Sequence, residues 1–444
     1  MKYVRHARCV RCGAVYEAVP ALTTCRCGGM LDIEYDYEAI RADFSPADLE
    51  GCRDYSMWRY RPFLPVEDRS PPTPLRVGWS PLYRADRLAR TLGLRTLYLK
   101  DDGQNPTSSL KDRASAMAVV KAREAGADTI ACSSTGNAAS SLAGNATAAG
   151  FRTYIFVPAR APKGKVAQLM IFGAAVITVD GSYEDTFALS KEAIDRWGWY
   201  NRNAAINPYL SEGKKTVTLE IMEQLHWQVP DYIALSVGDG CTIAGAWKGL
   251  KDLCAAGFID RLPRLISVQA EGCCPLNRAI QTGEPWRPME ENTLADSIAV
   301  GVPRNADKAL AAIRESRGLA VIVSDEEILI PLWLAWSPAT VSRTCRAASG
   351  PRASLCWSRR IWTPCSPPSP SAASPPKIRK SEDTPYGSDF QGRHDRRHRQ
   401  PHHHRGQPSS HLCPVHQRQR RQPDPHRRVH GLAGPGSVFP HPHA

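Results

Sequence analysis

The sequence predicts an α/β fold of parallel sheets covered by helices, and three observations carry that prediction. Between residues 75 and 324, short β-branched or apolar runs (96–100, 129–133, 153–157, 175–179, 232–237 and 265–270) alternate with stretches of helical spacing. Several runs end in glycine- or hydroxyl-rich turns that open a helix, the place where ligands bind in such sheets. The chain is 42% hydrophobic and 23% charged over 444 residues, ordinary globular values in a length that holds two domains and a large core.

Cys9-Val10-Arg11-Cys12 and Cys25-Arg26-Cys27 come first, with Gly13, Gly28 and Gly29 following the thiols. Two such knuckles supply four ligands for a tetrahedral zinc, and glycine suits the tight turn that brings backbone N–H groups to sulfur. The second pair has one intervening residue instead of the common two. The alternative is a small β-ribbon, residues 1–35, with four reduced thiols. No open coordination position with a nearby base is visible, so any metal here is structural. Residues 36–74 read as a connecting arm.

The run Asn105-Pro106-Thr107-Ser108-Ser109-Leu110-Lys111-Asp112-Arg113 follows the strand at 96–100 and precedes a helical pattern through Ala125. Ser109-x-x-Asp112 has the form of a capping box, which puts Lys111 in the first turn of the helix. A cation is disfavoured there by up to about 1 kcal/mol, so the amine loses its proton more easily, as attack on a carbonyl requires. Taken alone, Lys111 reads as a solvated lysine at a helix start.

Next, 129–133 reads as a strand that leads through Ser133, Ser134, Thr135 and Gly136 into an alanine-rich helix opened by Asn137. Hydroxyls and N–H groups at such a start bind a carboxylate or phosphate, and Asn137 offers a donor and an acceptor. The strand at 232–237 leads into Gly238-Asp239-Gly240-Cys241-Thr242 and a helix to Ala256. A glycine turn between strand and helix lets backbone N–H groups converge on a phosphate. Thr242 can add a hydroxyl, whereas Asp239 is awkward beside a dianion unless it points away.

The run ending in Lys111-Asp112-Arg113 resembles the Schiff-base segment of the threonine synthase family, fold-type II pyridoxal-phosphate (PLP) enzymes with a tryptophan synthase β-like architecture. It departs from the family's usual residues at Ser108 and Leu110. The other two segments follow in the family's order, and the resemblance runs through residues 5–330. It includes 157–165, 173–176, Asn207-Pro208-Tyr209-Leu210-Ser211-Glu212-Gly213-Lys214-Lys215-Thr216, 266–272 and Asp296-Ser297-Ile298.

The resemblance implies that Lys111 holds PLP and that Asn137 contacts the ring hydroxyl. The phosphate then lies on Gly238, Asp239, Gly240, Cys241 and Thr242, where the family usually has Gly-Asn-Gly-Gly-Asn, and Ser133, Ser134 and Thr135 hold substrate oxygens. It also implies a small cofactor-facing subdomain at about 112–200 within catalytic domains at 75–330, a zinc-ribbon-like N-terminus and a homo-oligomer. The implied reaction converts O-phosphohomoserine and water to threonine and phosphate. Serine/threonine dehydration and PLP-dependent β-replacement are the neighbouring chemistries.

After residue 330 the pattern changes. Residues 331–444 hold 18 Lys and Arg against 5 Asp and Glu, an excess equal to the net charge of +13 for the whole chain. The same stretch carries 11 of 13 histidines and 18 of 36 prolines, a composition expected to remain disordered. A family member would continue here to a final strand with a Thr or Ser for the pyridine nitrogen, and no counterpart is recognisable. The choice lies between a natural basic tail and a change of reading frame near residue 330; the abrupt loss of pattern favours the frame change, which leaves an inactive remnant as a further reading.

Because the body is charge-neutral, a nucleic-acid-binding role built on the ribbon and tail is the weaker reading. The first ten residues lack a signal-peptide core, and the apolar run 328–336 is too short to span a bilayer. The expectation is a cytoplasmic enzyme acting on a small amino-acid substrate, with no membrane or nucleic-acid partner.

Overall fold

The computed structural model describes residues 1–329 and 354–359. The N-terminal segment is an antiparallel ribbon in which β1 (Val4–Cys9) lies between β2 (Val15–Tyr16) and β3 (Leu31–Tyr35). β3 alternates buried and half-buried residues, so Leu31, Ile33 and Tyr35 join the core. The arm then forms α1 (Tyr37–Asp43), capped where the Ala39 N–H donates to Asp36 Oδ1 at 3.0 Å, and α2 (Pro46–Leu49) with proline at its first turn. A 3-10 stretch, Met57–Phe63, buries Trp58, Tyr60 and Phe63 against the body.

The body runs β4 (Leu82–Arg84), α3 (Asp86–Thr91), β5 (Thr96–Asp101), α4 (Lys111–Glu124), β6 (Thr129–Ser133), α5 (Asn137–Ala148) and β7 (Arg152–Pro158). It continues with α6 (Lys163–Ile171), β8 (Ala175–Val179), α7 (Tyr183–Trp197), β9 (Tyr200–Asn201), α8 (Tyr209–Gln224) and β10 (Tyr232–Ser236). Then come α9 (Cys241–Ala255), β11 (Arg264–Ala270), α10 (Pro275–Thr282), α11 (Ala306–Glu315), β12 (Leu319–Val323), α12 (Asp325–Leu329) and β13 (Ser354–Arg359).

One sheet is parallel, in the order β8-β7-β6-β9. The other has the order β12-β11-β10-β13-β5-β4 and is parallel except for β4, which runs antiparallel to β5. The six strands read from the sequence all form. β4, β9 and β12 were not read: two of them have three residues or fewer, and the third lies at a sheet edge.

Between the sheets lies α8, buried continuously from Tyr209 to Met222. Glycines set its distance from its neighbours. A Cβ on Gly213 would lie 2.3 Å from the Arg113 carbonyl oxygen on α4, and one on Gly245 of α9 would lie 3.1 Å from Lys214 Cβ. The N-terminal halves of α4 and α9 are thereby drawn against the N-terminal half of α8.

Two expectations are corrected. Residues 331–444 are not featureless: Ser354–Arg359 forms β13, parallel to both β10 and β5 in the interior of the six-stranded sheet. β10 and β5 would otherwise each present an unpaired ladder, and Leu355-Cys356-Trp357 favours extended backbone. The readings made for 331–353 and 360–444, the frame change included, lie outside the described residues. The reciprocal capping box at Ser109 is also not formed. Ser109 Oγ accepts the Lys111 N–H at 3.1 Å, whereas the Asp112 carboxylate reaches back to the Thr107 N–H and hydroxyl, both at 2.9 Å.

Candidate active site

Lys111 opens α4 and is half-buried, with Leu110 rather than a side-chain cap before it. Beneath it, the motif's last residue is fully buried. Arg113 Nε and Nη2 donate to Asp102 at 2.9 and 2.7 Å, and Nη1 and Nη2 donate to Glu220 at 2.5 and 2.8 Å. Lys100 Nζ donates to Glu220 Oε2, which Arg113 Nη2 also reaches, at 2.8 Å. Burial opposes ionisation of Asp102, but Arg113 overrides it and holds the carboxyl at about 2. This network fixes the start of α4 to β5 and α8.

Asp112 lies in the same turn, and burial pushes its carboxyl up to about 6 despite hydrogen bonds from Thr107 and from Asn145 Nδ2 at 2.7 Å. Those bonds tie the start of α4 to the middle of α5. At the end of β6, the Ser133 N–H donates to Asn203 Oδ1 at 2.8 Å, and Ser134 Oγ accepts the Gly136 N–H at 3.2 Å. Gly136 precedes α5 without a side-chain cap, so the turn Ser133-Ser134-Thr135 faces uncapped helix N–H groups.

Asn137 and the glycine turn meet through one 3-10 turn, Asp296–Ile298. Asn137 Nδ2 donates to Ser297 Oγ at 3.4 Å, and a Cβ on Gly238 would lie 2.9 Å from Ile298 Cα. Lys165 on α6 pairs with Asp296, so the turn is held from both sheets. Gly240 has φ +84°, a conformation that suits glycine, and it begins α9 without a side-chain cap. Lys111 stands within electrostatic reach of Cys241, which links α4 to this loop.

Asp239 is turned aside. Its Oδ1 accepts the Arg304 N–H at 2.7 Å, and its Oδ2 accepts from the Cys241 thiol at 3.3 Å. Its backbone carbonyl takes the Asn305 N–H at 3.2 Å. The aspartate therefore braces the loop before α11 and leaves the α9 N–H groups to any anion. Cys241 is buried, with its thiol pushed up to about 11, so it packs as a neutral group. Thr242 is half-buried in the first turn of α9.

Sequence reasoning missed Arg202, Asn203, Lys214 and Asn305, all almost fully buried around these turns. Arg202 Nη2 and both amide atoms of Asn305 are buried without a hydrogen-bond partner. Unfilled polar atoms beside two uncapped helix starts fit a phosphorylated ligand held near Lys111. Lys214 was within a recognised segment, but its isolation on a helix buried on every side is not visible in sequence.

Comparison with known proteins decides the family. A family model for pyridoxal-phosphate dependent enzymes matches residues 74–331. The chain belongs to that family. Two threonine synthases narrow the likeness. One, from Methanosarcina acetivorans, is 44% identical over 328 residues, 73% of this chain and 80% of that protein. Another, from Methanocaldococcus jannaschii, is 40% identical over 327 residues, 72% of this chain and 80% of that protein. The chain is thus a threonine synthase-like member of the PLP-dependent family.

Solved structures agree on the fold. Maize serine racemase superimposes with a TM-score of 0.53 at 19% identity, covering 63% of this chain and 86% of that one. A threonine deaminase from Solanum lycopersicum gives 0.53 at 19% identity, covering 64% and 84%.

Away from this site, Cys9, Cys12, Cys25 and Cys27 bring their sulfurs within 4.8 Å of one another. Cys9 and Cys27 are 3.6 Å apart and Cys12 and Cys25 3.5 Å apart, all as free thiols. Tetrahedral zinc with bonds of about 2.3 Å needs sulfurs roughly 3.8 Å apart, so the four fit that metal. A Cβ on Gly29 would lie 2.6 Å from Cys9 Sγ, so glycine is required for the cluster to close. Among the described residues, no helix is long and apolar enough to cross a membrane.

Proposed function

We propose that the protein converts O-phosphohomoserine and water to threonine and phosphate, with PLP held at Lys111. The supporting observation is that the Asp296–Ile298 turn touches both Asn137 and Gly238 while Lys111 stands within electrostatic reach of Cys241, in a chain whose 40–44% identical relatives are threonine synthases. When bound, the cofactor supplies an electron sink for negative charge beside the substrate amino group.

The chain's own groups have separate tasks. Lys111 Nζ, in the first turn of α4, would hold the cofactor covalently, take protons from the substrate's α and β carbons and return protons to its γ and α carbons. Ser133, Ser134, Thr135 and the first N–H groups of α5 take the substrate's oxygens. Asn137, hydrogen-bonded to Ser297, would contact the cofactor ring's hydroxyl. Gly238, Gly240, Cys241 and Thr242 offer backbone N–H groups, and Thr242 a hydroxyl, to the phosphate. The bond from the γ carbon to the phosphate oxygen would break with the phosphate keeping the electron pair, the γ carbon would gain the proton first taken from the β carbon, and water would add its hydroxyl at the β carbon and give its other proton to the phosphate. Zinc at the four cysteines is structural in this reading, and the enzyme is a cytoplasmic homo-oligomer.

The test is a spectrum and an assay. Purified protein with added PLP should show a visible band that borohydride fixes on Lys111, and O-phosphohomoserine should release phosphate with formation of threonine. Lys111→Ala should lose both. A soluble, folded protein without the band would overturn the cofactor assignment; a band without phosphate release would overturn the substrate.

A further inference from the structure

Arg202 and Lys214 are two buried cations, each 1% exposed, on different elements. Arg202 follows β9; its N–H donates to the Ala131 carbonyl at 3.0 Å and its Nε to Ser115 Oγ at 3.1 Å. Its Nη2 has no partner. Lys214 leaves α8 beside Gly245 and lies against the Cys241 thiol at the start of α9. The two cations are close enough to repel one another, and burial works against the charge on both.

Among the described residues neither cation forms an ion pair with a carboxylate, unlike the buried Lys100, Arg113, Lys121, Lys215 and Lys248. The acidic groups in range are already engaged. Asp239 is held by Arg304 and Cys241, and Asp112 by Thr107 and Asn145. Two like charges out of water, one with an unused donor, next to a helix start whose N–H groups are uncapped, leave buried positive charge that a bound anion would offset.

We infer that Arg202 and Lys214 form a phosphate-monoester subsite with the first turn of α9, supplying charge that the Gly238–Thr242 loop lacks. The inference rests on the proposed function for the identity of the ester. It leaves two sources of the same chemistry, the cofactor's phosphate and the substrate's. A planar guanidinium together with a point ammonium suits a tetrahedral dianion better than a carboxylate.

The experiment compares wild type with Arg202→Met and Lys214→Met, and with the charge-keeping Arg202→Lys and Lys214→Arg. Each is titrated with PLP, with unphosphorylated pyridoxal and with inorganic phosphate, and read by absorbance, by dissociation constant and by the rise in melting temperature. If the pair holds the cofactor, PLP affinity falls about tenfold or more in the methionine variants. Pyridoxal affinity stays the same, and the charge-keeping variants recover most of the loss. If the pair holds the substrate, the PLP-to-pyridoxal ratio is unchanged, and the dissociation constant of inorganic phosphate on the cofactor-loaded protein rises by a similar factor. Either result supports the subsite and assigns its occupant. Equal response of PLP and pyridoxal, with phosphate binding unaltered, would overturn it. Should wild type form no band with PLP, the proposed function falls, while phosphate-dependent stabilisation lost in Arg202→Met would still establish the anion site.

Discussion

The Arg113 guanidinium and the Glu220 carboxylate face each other with neither side chain exposed, Nη1 to Oε1 at 2.5 Å and Nη2 to Oε2 at 2.8 Å. Asp102 and Lys100 complete the group, so two cations and two anions neutralise one another beneath the residue that would carry the cofactor. Arg113→Met leaves Asp102 and Glu220 with Lys100 alone. Removing one partner of a buried pair typically costs about 3–5 kcal/mol. Equilibrium urea unfolding should show a loss of that size; a loss below about 1 kcal/mol would mean that water reaches the network.

Asp112 gives a pH dependence of defined sign. Its carboxyl stands near 6 in the folded chain against 3.8 for an unperturbed group, so the folded state prefers the protonated form. Its stabilising contribution is complete below the unfolded value and is lost as pH rises through about 6. That difference corresponds to about 3 kcal/mol. Stability measured from pH 4 to 7 should decline more steeply in wild type than in Asp112→Asn. Parallel curves would place the carboxylate in an ordinary environment.

Gly240→Ala should strain the phosphate loop. Its φ is +84°, and the added methyl would lie 2.6 Å from Ala309 Cβ on α11. A cost of about 1–3 kcal/mol is expected, together with weaker retention of PLP on dialysis. An unchanged melting temperature would argue that α11 moves aside freely.

The ribbon should bind one zinc per chain, read by elemental analysis of the purified protein, and Cys25→Ser should abolish it. The ribbon is joined to α11 by the Arg11–Asp307 and Lys308–Asp32 ion pairs, and α11 begins beside Asn305 and Gly240. Chelation should therefore weaken cofactor retention several-fold as well as lower the melting temperature. Chelation that leaves PLP binding untouched would separate the two sites.

What could be read from sequence has a common physical origin. The strand 129–133 forms at the predicted residues because a buried parallel strand is a short apolar run bounded by turns. The cysteine knuckles and the Lys-Asp-Arg run carry their chemistry in a few adjacent residues. Arg202, Lys214 and Asn305 do not: each looks like an ordinary loop or helix residue until distant helices close over it. Ser354–Arg359 was hidden for a different reason, since it lies amid proline- and arginine-rich sequence that supplies no periodicity of its own.

The position of that strand bears on how the chain is made. In β13, Ser354 pairs with Thr96 and Leu355 with Tyr232, so the six-stranded sheet stays in two parts until residues 354–359 arrive. At about 5–20 residues per second on the ribosome, β5 waits many seconds for its neighbour, with the ladders of β5 and β10 open to other chains. A nascent chain stopped before residue 354 would expose both ladders at once. Chaperone dependence and aggregation during synthesis should accordingly be governed by the far end of the sequence, not by the segment that holds the chemistry.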